Sequence, residues 1–117
     1  MALQISEKQI DGVTVLTFVG RITLGDESNQ LRTTIKETLG KGKSQIVLDL
    51  AGVSYIDSAG LGMLMAGYTS AQNQGATLKL ANLTKKFNEL LNITKLVTIF
   101  DTYESVDAAV KSFAKRA

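Results

Sequence analysis

Asp57-Ser58-Ala59-Gly60-Leu61-Gly62 is where residue types and spacing come closest to a chemical site. The serine stands where a helix should begin, with two glycines in the turn that follows. Glycine is worse than alanine in a helix by roughly 1 kcal/mol, so two in one turn need a reason. Access is one: without side chains, the surface around Ser58 stays open to another protein. A reachable hydroxyl at a helix N-terminus can also carry a phosphate, because free N–H groups and the helix dipole favour negative charge there. Ser58 is therefore a candidate switch. Against this stands a plainer role, in which Ser58 Oγ caps the helix. Asp57 could equally be the cap, leaving Ser58 at the first helical position with its hydroxyl outward. The glycines could instead let the helix pack tightly on a strand. Access is the favoured reason at Gly60, which lies nearer Ser58; Gly62 is open between the two.

Other chemistry is narrowed by what the chain lacks. With no histidine and no cysteine, a Ser-His-Asp triad, a thiolate nucleophile, a disulfide framework and His or Cys metal sites are excluded. Gly60-Leu61-Gly62 has the spacing of neither a P-loop nor a dinucleotide fingerprint. The 11 acidic residues are spread along the elements without a close pair in an apolar setting. No enzyme activity, cofactor or metal is expected. Asp49 lies at the end of a buried run, where sites gather in open α/β sheets, or bonds loop backbone as a structural residue. Asp26 reads as a helix cap that could share a surface with Ser58. Lys85-Lys86 reads as a solvated helix start.

At 117 residues, with 44% hydrophobic and 21% charged residues, the chain reads as one globular domain over residues 1–117. No apolar run approaches the ~20 residues that span a bilayer, and Met1-Ala2-Leu3-Gln4 has no basic segment leading into an apolar one. A soluble, cytoplasmic protein without a membrane partner is expected. The net charge of +2 is too small, and the basic residues too scattered, to imply nucleic acid.

The elements that must position Ser58 follow from periodicity. Leu3 to Ile10 and Val13 to Val19 read as strands, and Asp11-Gly12 between them is a tight hairpin signal. Gly20 to Gly25 is a loop or short extended segment. A helix starts near Asp26-Glu27-Ser28 with Leu31, Ile35 and Leu39 on one stripe, and ends at Gly40 to Lys43. Ile46 to Leu50 reads as a strand covered on both faces. A helix from Leu61 to Gln74 follows, with Leu64, Met65 and Tyr68 on its apolar side. Met63 and Met65 lie on both sides of it, so at least one should be partly uncovered. Thr77 to Leu80 and Val97 to Phe100 read as strands, and Lys85 to Leu91 as a short helix. The last helix, Tyr103 to Lys115, would bury Val106, Ala109, Val110 and Phe113. A hairpin followed by alternating helices and strands gives an α/β fold: a mixed sheet covered by about four helices.

The run from Ile46 through Asp57-Ser58-Ala59-Gly60-Leu61-Gly62 closely resembles the signature of STAS domains, and specifically of bacterial anti-sigma-factor antagonists. The resemblance extends over the whole chain, including Gly20-Arg21-Ile22 after the second strand, and implies the STAS-type mixed sheet. It makes Ser58 the phosphorylation site. It also implies two partners: an anti-sigma factor that is a serine kinase and binds the unphosphorylated antagonist, and a metal-dependent serine/threonine phosphatase that reverses the modification. Asp57, Ala59, Gly60 and Gly62 would flank the docking hydroxyl. Thr23, Asp26 and the Gly20 to Gly25 loop would border the docking surface, although Asp26 falls later than in the common Leu-Asp pattern. The protein would regulate transcription by partner switching and would not be an enzyme. The alternative is a STAS subunit of a signalling scaffold or lipid-transport complex in which Ser58 is not phosphorylated.

Overall fold

The computed structural model describes residues 3–114. Strands β1 (Gln4–Ile10) and β2 (Val13–Ile22) form an antiparallel hairpin in which Ile10 faces Val13. Asp11 and Gly12 both have positive φ, 50° and 80°, as a type I′ turn requires. From β2 the chain passes through α1 (Asp26–Gly40), β3 (Gln45–Ile56), α2 (Ser58–Asn73), β4 (Thr77–Ala81) and α3 (Lys85–Ile93). It then makes a 3₁₀ turn, Leu96–Thr98, and ends in β5 (Thr102–Tyr103) and α4 (Val106–Ala114). The sheet runs in order β1-β2-β3-β4-β5, with β2 to β5 mutually parallel.

The core has two layers because alternate strand residues point to opposite faces. On one face Leu16, Phe18, Ile46, Leu48 and Leu50 meet Leu31, Ile35 and Leu39 of α1, Leu61 and Leu64 of α2, and Phe87 and Leu91 of α3. On the other, Val13, Val15, Val47 and Ala81 meet Ala109, Val110 and Phe113 of α4, with Val106 partly covered. Met63 and Met65 are both partly buried against the larger core.

Helix α4 covers only the first half of the long strands. Both β2 and β3 run past it, to Ile22 and Ile56, rather than stopping at Val19 and Leu50. Register shifts after Thr17 and Gly20 mark the bent stretch. There Val19 and Tyr55 stay 47% and 46% exposed, and the Arg21 guanidinium lies 5.2 Å from the Tyr55 ring centroid.

Two expectations near the C-terminus are corrected. Val97 to Phe100 is not a strand. Lys95 takes a left-handed conformation (φ 63°), and the following residues close a 3₁₀ turn. Phe100 is buried, edge-on to Tyr68 at 5.0 Å, so its side chain, not a ladder, fixes the run. The pairing with β4 comes later, Leu80 with Thr102 and Ala81 with Tyr103. Tyr103 is therefore a strand residue, and the last helix starts at Val106, where Ser105 Oγ accepts the Ala108 N–H at 3.0 Å. Lys115 lies outside the described residues.

Candidate functional site

Helix α2 begins directly where β3 ends, so one residue must serve both elements. Asp57 does so in extended conformation, and its side chain caps α2. Its Oδ1 accepts the Gly60 N–H at 2.8 Å and its Oδ2 accepts the Leu24 N–H at 2.9 Å. Both bonds favour the carboxylate, and the Gly60 N–H foremost holds its pKa below the ordinary value. The Asp57 N–H donates to Ile22 O at 3.2 Å, which ties the β2 end to the same point.

With Asp57 as the cap, Ser58 is the first helical residue and exposed. Of the two readings open in the sequence, the hydroxyl pointing outward is the one found. It borders an open groove of about 410 Å3 between the β3 end and α3. Val53, Ile56, Phe87 and Leu90 give the groove its apolar lining, and Lys86 and Glu89 its charged edge.

The two glycines part company. A Cβ on Gly60 would collide with the Ile22 carbonyl, and it would stand 2.8 Å from Ile22 Cγ2 and 2.9 Å from Ile56 Cγ1. Gly60 is buried, so the access reading is corrected: its missing side chain lets α2 sit against β2 and β3. Gly62 is exposed, and a Cβ there would meet nothing within 4 Å. Ala59 between them is half-buried.

Asp26 is not a cap. Gly25 occupies the N-cap position of α1 and no side chain caps that end, so Asp26 is the exposed first residue of the helix. Thr23 Oγ1 donates to Glu27 Oε1 at 3.2 Å, and Thr23 O accepts the Ser28 N–H at 3.1 Å. These bonds shape the 23–25 loop, which Asp57 then draws to the start of α2. Asp49 lies inside β3 rather than at its end. Its Oδ1 accepts the Asn82 side-chain amide at 3.0 Å and the Ala51 N–H at 3.2 Å. That is the structural role, away from the Ser58 groove.

Three apolar residues belong to this surface and were missed: Leu24 and Ile93, each 78% exposed, and Tyr55. Ile93 and Tyr55 line the groove beside Ser58, and Leu24 is held to Asp57 by its amide. A leucine in a Gly-flanked loop was the available signal for the first. Among the described residues no group of His, Cys, Asp and Glu could hold a metal ion, and no helix is long and apolar enough to cross a membrane.

The STAS domain family model matches residues 4–109. The chain belongs to the STAS domain family. Proteins named as anti-sigma factor antagonists are among its relatives. One from Bordetella bronchiseptica is 26% identical over 111 residues, 95% of each chain. The anti-sigma-B factor antagonist of Bacillus subtilis is 37% identical over 62 residues, 53% of this chain and 57% of that one. A crystal structure described as an anti-sigma factor antagonist from Thermotoga maritima superposes with a TM-score of 0.85 at 25% identity, covering 92% of both chains.

Proposed function

We propose that this STAS domain is an anti-sigma-factor antagonist switched by phosphorylation of Ser58. The observation that carries the reading is the Asp57 cap: because the carboxylate satisfies the helix N-terminus, the Ser58 hydroxyl stands free at the exposed first turn. Around it lie the elements of a docking surface. Leu24, Tyr55 and Ile93 offer apolar contact, Gly62 leaves room, and Thr23, Asp26 and Ala59 border the hydroxyl or its loop. The names of the relatives supply the partner class, an anti-sigma factor.

In this reading the unphosphorylated protein binds an anti-sigma factor that is also a serine kinase. Ser58 Oγ attacks the γ-phosphorus of ATP. The Oγ–P bond forms as the bond to ADP breaks, and the hydroxyl proton passes to a base of the kinase. The product carries about −1.5 to −2 charges where the partner must come close. The free protein tolerates them at a helix N-terminus, whereas the complex must desolvate them beside ionised Asp57. A cost of a few kcal/mol weakens binding by orders of magnitude. A metal-dependent serine/threonine phosphatase resets the switch.

The test is to incubate the protein with its cognate anti-sigma factor, ATP and magnesium, and to read the intact mass and phosphopeptide map. One phosphate is expected, at Ser58, with none on the Ser58→Ala protein, which should still bind. Phosphate at another residue, or none with an active kinase, would sink the reading.

A further inference from the structure

Two consecutive lysines open α3, and they face different hollows. Lys85 borders a polar hollow with Asn82, Asn88 and Glu104. Lys86, about 100° further round the helix, lines the groove that Ser58 also lines. Neither is in an ion pair among the described residues, where Lys111 with Asp107 is the pair found. Asp57 and Glu89 are the other charged groups of the Ser58 groove, and Tyr55 is its titratable phenol. Asp57 has both oxygens occupied by backbone N–H groups. Arg21, at the neighbouring end of β2, lies against the Tyr55 ring, 5.2 Å from its centroid, and Lys86 is the cation that lines the groove together with Ser58.

We propose that Lys86 is the counter-ion of phosphorylated Ser58, reaching across the groove to the phosphate and closing the hollow as it does so. The proposal rests on the phosphorylation reading above. Before modification Lys86 is exposed at the edge of the groove, a hydrated point charge on a flexible stem. A phosphate on Ser58 supplies three acceptor oxygens and nearly two charges, and a charge-assisted hydrogen bond follows. The methylene stem then lies over Leu90, one turn along the same helix face, as long charged side chains do on apolar surface. Phosphorylation would therefore both repel the partner and cover the apolar pocket it docks against. Glu89 opposes the phosphate and limits the gain.

Protein carrying phosphoserine at position 58, installed during translation so that no kinase is needed, tests this by 31P NMR titration. Lys86 should lower the second ionisation of the phosphate. Lys86→Gln should raise it by about half a unit or more, Lys85→Gln should leave it unchanged, and Glu89→Gln should lower it further. Identical titration of the parent and Lys86→Gln proteins would overturn the assignment, as would an equal shift from Lys85→Gln. Either result leaves the phosphorylation reading standing, because the kinase assay decides that separately.

Discussion

Asp57 and Leu24, 33 positions apart, are joined by a 2.9 Å bond from the Leu24 N–H to Asp57 Oδ2. The carboxylate that caps α2 thereby also sets the loop that presents Leu24 to solvent. Local capping and the shape of the candidate docking surface are one structural event.

The first prediction concerns that carboxylate. Asp57→Ala should lower stability at pH 7 by about 0.5–2 kcal/mol, the range for a lost N-cap. It should also speed hydrogen exchange at the Leu24 amide. The Asp57 pKa is lowered in the folded state, chiefly by the Gly60 N–H. Its contribution is therefore full above the unfolded value of about 3.9 and lost as pH falls through the lower folded value. Urea unfolding at neutral and acid pH should show the gap between the two proteins shrinking in acid. A gap of constant size would show that the charge plays no part.

The glycines give the second prediction. Gly60→Ala places a methyl against the Ile22 carbonyl, where backbone cannot yield cheaply. A loss of about 1–3 kcal/mol is expected, seen as a melting temperature several degrees lower. Gly62→Ala has open space and should keep or raise stability by up to roughly 1 kcal/mol while weakening partner binding. Calorimetric melting of both proteins checks this, and a stable Gly60→Ala protein would contradict the packing account.

Why Gly60 misled is physical. Sequence places it two residues from Ser58 in the same first turn, but the strand beneath it, β2, comes from 38 residues earlier in the chain, at Ile22. Local spacing carries no information about that approach. The hairpin, the two crossover helices α1 and α2 and the strand-to-helix junction at Asp57-Ser58 were legible because turn chemistry and periodicity are local, whereas the choice of Asp57 over Ser58 as the cap was open until the structure. Val97 to Phe100 was not. A short apolar run reads alike as strand or packed turn, and here Phe100 meeting Tyr68 decides for the turn. The apolar rim is illegible for a related reason: Tyr55 is 46% exposed beside α3 and Ser58, residues that only the folded chain brings together.

That rim supports a third prediction. Leu24→Ser and Ile93→Ser remove side chains that are each 78% exposed, so folding should change within about 0.5 kcal/mol. If they seat the anti-sigma factor, each should weaken the complex tenfold or more, about 1.4 kcal/mol. Titration calorimetry against the partner reads this directly. Unchanged affinity in both would move the docking surface off this rim.

The last prediction isolates charge from size at Ser58. Ser58→Ala should leave the fold intact, because Asp57 and not Ser58 caps α2. Ser58→Asp and Ser58→Glu should also fold, since the helix N-terminus favours an anion. Both should bind the anti-sigma factor more weakly than Ser58→Ala, yet more strongly than the phosphoprotein, because each adds one charge and fewer acceptor oxygens. Raising salt should narrow the differences, as screening weakens charge repulsion at a partly exposed site. If Ser58→Glu binds as tightly as Ser58→Ala while the phosphoprotein does not, repulsion by charge alone fails. Bulk at Ser58, or the covering of the groove by Lys86, would then have to account for release.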